Sequence, residues 1–208
     1  MPLIRKSSGS DAPPPGPDFE QACAGLRSDQ LDERWRAARA LAAFPQAAAV
    51  LSAAVGDESE ARVREAMFTS LARIGGPDGV KALAPHIRSD DAAHRTGAMD
   101  ALKALPEGLP TVMTGLLKDP DADVRLLACD LARELPAAQA TALLSAVLDA
   151  DTEVNVCAAA VDVLADIGLP EAVPSLRRCA ERFPAEPFLA FAIRVAGDRI
   201  GAQAPPRG

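Results

Sequence analysis

The chain has 208 residues, 49% of them apolar and only 3% aromatic, with a formal net charge of -7. That acidic balance argues against a protein built to grip phosphate backbones, where Lys and Arg must replace condensed counterions. Abundant Ala and scarce aromatic and β-branched residues disfavour sheets and suit helices that approach closely.

Residues 1–17 carry Ser7-Ser8-Gly9-Ser10 and Pro13-Pro14-Pro15, too little apolar mass to fold, and read as a disordered tail. From residue 18 onward a beat begins. A large apolar residue followed by Pro or Gly recurs at Phe44-Pro45, Ile74-Gly75, Leu105-Pro106, Leu135-Pro136, Ile167-Gly168 and Ile200-Gly201, at intervals of 30 to 33 residues. Gly and Pro both end helices, one by allowing a left-handed cap and the other by lacking an N–H. Ten residues before these terminators stand Arg34, Arg64, Arg95, Arg125, Cys157 and Ala190. Three and seven residues beyond them, the positions are mostly Ala, Met, Leu or Ile, from Ala37 and Leu41 to Ala160 and Leu164. That spacing traces the buried face of one helix per unit. An acidic or hydroxyl cluster precedes each of the first five: 29–32, 57–59, 90–91, 119–121 and 151–152. These residues are expected to cap that helix, and a first helix lies upstream, over 109–118 in the fourth unit and 138–149 in the fifth. Residues 202–208 read as a second disordered tail.

The predicted fold is therefore all-α, a solenoid of about six helix–turn–helix repeats over 18–201. The run D-P-D-A-D-V-R-x-x-A-x-x-x-A-x-x-L at 119–135 resembles the short HEAT repeats of the phycobilisome-lyase type, as does D-E-S-E-A-R-V-R at 57–64. The resemblance implies a bacterial HEAT-repeat protein whose second helices line the concave side.

On that side, five residues past each repeat origin, lie Arg39, Thr69, Asp100, Asp130 and Asp162. Glu134 and Asp166 follow one helical turn after the last two, making an acidic column. Arg36, Arg39 and Arg73 make the N-terminal end basic. The column is expected to receive a basic segment of a partner protein, with Asp100–Lys103 and Asp130–Arg133 as partly compensating pairs. Trp35, the only Trp, is expected to cover the open end of the stack or to anchor a contact. Arg34, Arg64, Arg95 and Arg125 are read as structural, forking onto Asp residues of their own or neighbouring turns.

Chemistry has little to stand on. His86 and His94 sit in no His-Glu pair, and no Ser or Cys has a placed His partner. No Cys-x-x-Cys pair or phosphate loop occurs, so no catalytic, metal or cofactor site is expected. The stretch 37–55 is interrupted by Arg39 and Pro45, so no membrane span is expected. The four cysteines read as buried thiols, and a cytoplasmic location follows by default. The expected function is a non-catalytic adaptor or scaffold, monomeric or weakly homo-oligomeric, that binds protein and not nucleic acid. Rival readings are a bilin (tetrapyrrole) lyase or chromophore chaperone, and less favourably a HEAT-like DNA-repair protein.

Overall fold

The computed structural model describes residues 18–203. The expected tails at 1–17 and 204–208 lie outside that range, and Ala202 and Gln203 continue the last helix.

Among the described residues there are twelve α-helices and no strand. They run as six hairpins: α1 (Phe19–Gly25) with α2 (Leu31–Leu41), α3 (Ala48–Asp57) with α4 (Ala61–Ile74), and α5 (Gly76–Leu83) with α6 (Ala92–Lys103). The second half repeats the plan with α7 (Pro110–Leu116) and α8 (Ala122–Leu131), α9 (Ala137–Ala150) and α10 (Val154–Ile167), and α11 (Val173–Arg182) and α12 (Pro187–Gln203). Partners pair in sequence order, and the second helices also pack on one another, α2 on α4, α8 on α10 and α10 on α12.

The predicted buried face is observed. Ala37, Met67, Ala98, Ala128 and Ala160 are buried, as are Leu41, Leu71, Leu102, Ala132 and Leu164. Small residues at the first set let helix axes close up, and leucines at the second fill the layer between the two helices of each hairpin. No single hairpin can shelter this stripe, so each leans on the next.

Turn chemistry explains the boundaries. Gly75 (φ 64°) and Gly76 (φ 58°) hold the left-handed region, which Gly enters without a Cβ penalty, between α4 and α5. Gly168 stops α10 at a backbone approach so close that a Cβ would sit 2.4 Å from the Leu164 carbonyl oxygen. Gly201 does not end its helix, because α12 runs through it to Gln203. Capping also departs from expectation. Only Asp91 and Asp121 cap second helices with their side chains, as Asp18 does for α1. In the other units the helix opens on Gln30, Glu60 or Glu153, and the polar residue two positions earlier does the work.

Candidate functional site

Two surfaces carry the polar side chains singled out in the sequence. The first is the edge formed by the turns inside the hairpins. The side chains of Ser28, Glu58, Ser89, Asp119 and Asp151 each accept the N–H of the residue two ahead, at 2.9 to 3.2 Å. The repeat arginine then donates to the carbonyl of that same residue: Arg34 to Ser28, Arg64 to Glu58, Arg95 to Ser89 and Arg125 to Asp119. Three of the four also reach forward. Arg34 grips Glu58 and Arg125 grips Asp151 through two nitrogens each, and Arg64 lies 3.7 Å from Asp91. Arg95 has no such forward partner; Arg88 pairs with the buried Asp119 in its place. Burial alone would raise the Asp151 carboxyl, but the Arg125 guanidinium and the Glu153 N–H together hold it below its ordinary value. The arginines thus brace the turn of their own hairpin through its main-chain carbonyl, and three of them, Arg34, Arg64 and Arg125, also tie it to the next through an acidic side chain.

The second surface is the outer face of the second helices. Asp130, Asp162 and Asp166 do meet there, but not as a bare acidic column. Arg133 pairs with all three. Lys103 pairs with Asp130 at 2.7 Å, not with Asp100, and Arg199 with Asp166 at 3.2 Å. The result is an alternating-sign chain across α6, α8, α10 and α12. Burial pushes the Asp130 carboxyl up, yet hydrogen bonds from Lys103 and Arg133 bring it below its usual value. Glu134 is exposed and displaced from the Asp130 row, because α8 stops at Leu131 and Ala132–Glu134 wind as a 3-10 turn. Asp100 and Glu134 have no cationic partner among the described residues.

At the N-terminal end, Trp35 is half-buried between two guanidiniums, Arg39 at 4.6 Å and Arg62 at 4.5 Å from the ring centre. These residues line a cleft of about 420 Å³ between α2 and α4, with exposed Arg73 at one side and buried Ser70 among its walls. Arg36 is exposed beside it on α2. A wider groove of about 750 Å³ lies between α4 and α6, with Asp100 among its walls. Glu65 and Thr69 border both, so the two adjoin.

The family model for HEAT repeats matches residues 19–103 and 109–195. The chain belongs to the HEAT-repeat family. The HEAT-like repeat protein from Thermococcus onnurineus NA1 is similar in structure, at 17% identity and TM-score 0.51, over 88% of this chain and 87% of that one. Drosophila melanogaster Mini spindles TOG3 is similar at 15% identity and TM-score 0.56, over 90% and 96%. The complex of CpcE and CpcF of phycocyanin lyase from Nostoc sp. PCC7120 matches at 17% identity and TM-score 0.38, over 96% of this chain and 100% of that one. No curated protein matches the sequence.

The HEAT stack also joins residues that the sequence left apart. Ser52 donates to the Ala82 carbonyl at 2.8 Å and lies 3.0 Å from His86 Nε2, and His86 Nδ1 lies 3.0 Å from His94 Nε2. With its proton given to Ala82, Ser52 must accept from His86 Nε2–H, and His86 Nδ1 then accepts from His94. This corrects the expectation that no Ser has a placed His. In this arrangement, however, the imidazole donates to the hydroxyl and is not poised to take its proton. Both histidines lean edge-on against Phe68 in the HEAT core. Burial lowers the pKa of each, helped by the other ring for His86 and by Arg64 for His94. Burial pushes the Cys129 thiol up to about 12, which keeps it protonated and unreactive. Among the described residues no group of three or more His, Cys, Asp or Glu could hold a metal ion, and no helix is long and apolar enough to cross a membrane. Among the described residues Phe188 and Phe191, at 89% and 58% exposure, are the exposed large apolar side chains, both on the last helix.

Proposed function

We propose that this chain is a non-catalytic scaffold that captures a segment of another protein along the outer surface of its second helices. The observation that carries the reading is the adjoining pair of grooves across α2, α4 and α6, meeting at Glu65 and Thr69, the second walled largely by Ala, Thr and Gly. Small side chains leave backbone-width room, and solenoids present such extended surfaces because each unit adds one helix to them. Gly97 lets α6 pack directly on the buried Phe68 at the floor of the second groove: a Cβ there would stand 2.8 Å from the ring. A basic segment laid on the acidic column is the weaker arrangement, since Lys103, Arg133 and Arg199 already occupy Asp130, Asp162 and Asp166.

The test fills the groove. Thr69 and Thr96 are exposed on its walls, so Thr69→Trp with Thr96→Trp blocks it from outside the core. Proteins captured by the intact chain from native lysate should be lost with the blocked variant at unchanged melting temperature. Identical capture by both would sink the reading. Bilin added to the intact chain should keep its free absorbance spectrum; a shift would favour pigment handling instead.

A further inference from the structure

We propose that the Trp35 cleft is the anchoring subsite of this scaffold and that it takes an acidic peptide segment, one carrying two or three carboxylates beside an apolar residue. This rests on the protein-binding reading above and supplies the chemistry of the partner. It reverses the sign of the segment expected from the sequence.

Unspent charge decides the sign. Toward the C-terminal end the second-helix surface neutralises itself, carboxylate against cation, through Arg133 and its neighbours. At the N-terminal end Arg36, Arg39 and Arg73 have no carboxylate partner among the described residues, and Arg62 holds only the exposed Asp32, at 3.1 Å. In a chain of net charge -7 this is a local cationic excess. An acidic segment meets unpaired cations here and internally neutralised charge toward α12, which sets register as well as strength.

Geometry decides the class of ligand. The guanidinium carbons of Arg39 and Arg62 lie over the Trp35 ring at 4.6 and 4.5 Å from its centre, so both cations are held beside it. A guanidinium held against a ring has less rotamer freedom left to lose, and its N–H groups suit two-point contact with a carboxylate. The half-buried indole supplies the apolar contact beside them. The cationic wall spans only the two helices α2 and α4, and the adjoining groove leads to Asp100. A nucleic acid strand, with phosphate after phosphate, would leave the cations and meet carboxylates. A short peptide places its few charges in the cleft and continues with neutral side chains past Thr69. Glu65 on the cleft wall suits peptide N–H donors, which phosphodiesters lack.

The experiment uses the intact chain and its own reporter. Trp35 is the single Trp and there is no Tyr, so tryptophan emission comes from the cleft alone. The probe is a capped heptapeptide of alternating Glu and Leu, compared with its Gln and Lys counterparts and with a dT oligonucleotide. The Glu peptide should change Trp35 emission saturably. Its Kd should rise about tenfold or more as NaCl goes from about 0.05 to about 0.3 M. Arg39→Gln with Arg73→Gln, both at exposed positions, should weaken it by about tenfold or more at unchanged melting temperature. No saturable change with the Glu peptide, equal binding of the Gln or Lys peptide, or tighter binding of the oligonucleotide each overturns the proposal. The broader reading fails separately: it falls if groove blocking leaves capture intact. The acidic subsite alone falls if blocking abolishes capture and the arginine variant does not.

Discussion

Arg182 reaches back from α11 to the carbonyl of Asp151, the acceptor that Cys157 touches only with a weak thiol at 3.6 Å. Cys157 stands where four earlier repeats have arginine. The fifth turn therefore keeps its guanidinium, delivered from the next hairpin instead of its own second helix. Asp151 is held twice, its carboxylate by Arg125 and its carbonyl by Arg182.

Arg182→Ala should accordingly loosen the last hairpin. The hydrogen bond lost is worth about 1 kcal/mol, or roughly fivefold in local opening. Hydrogen exchange should quicken in α11 and α12 and stay unchanged in α2 to α8. Uniform acceleration through the stack would show that the contact is not local.

The repeat arginines should not be equivalent. Arg125 makes a two-point pair with a mostly buried carboxylate and also serves the Asp119 carbonyl, whereas Arg95 makes one carbonyl contact. Arg125→Ala should lower the unfolding free energy by about 2–3 kcal/mol, leaving Asp151 buried and unpaired. Arg95→Ala should cost clearly less. Urea denaturation of both variants checks the order, and equal losses would contradict it.

The two histidines make stability depend on pH near neutrality. Burial depresses both pKa values, so the native chain binds fewer protons than the unfolded chain below the ordinary histidine value. Stability is then fully present above about pH 6.5 and falls as the pH drops toward the lowered native values, by up to about 1.4 kcal/mol per pH unit for each proton taken up. One added proton fits at His94 Nδ1, where Asp91 favours it and Arg64 opposes it; a second forces two N–H groups together between the rings. His86→Gln with His94→Gln should flatten the profile just below about pH 6.5. The lowered carboxylates Asp130, Asp151 and Glu58 act at still lower pH, below their ordinary range, so the windows separate. An unflattened profile would assign the effect elsewhere.

Arg133→Ala should uncover the acidic column. Its ion pairs are largely exposed, so the stability change should be small, under about 1 kcal/mol. The variant should gain salt-sensitive affinity for a Lys-rich peptide that the parent binds weakly or not at all. Isothermal titration of both proteins measures this. Strong binding by the parent would restore the column as a receptor for basic segments.

The repeat beat and the buried stripe were legible because they are local. Ala98 and Leu102 declare their burial by helical spacing alone, and the structure buries both. The polar pattern was less legible because it depends on how one hairpin is set against the next. Arg133 meets Asp162 and Asp166 across repeats, and Arg62 meets Asp32 in the same way. Opposite charges about one period apart are the signal for these pairs, whereas spacing within one helix points only to the three-residue pair Asp130–Arg133. The expected row from Asp130 to Glu134 failed because helical spacing was carried past Leu131 into a tighter turn. His86 and His94 stand on opposite sides of the turn between α5 and α6, and only its folding brings their rings together.

The substitution of Arg88 for Arg95 at the step from the third hairpin to the fourth has a mechanical side. Arg34 and Arg125 fasten their joints from sheltered positions, 18% and 14% exposed, while Arg88 is 47% exposed. Dissolved ions weaken the open clasp far more than the covered ones. Added salt should therefore loosen the joint between the third and fourth hairpins before those that Arg34 and Arg125 fasten.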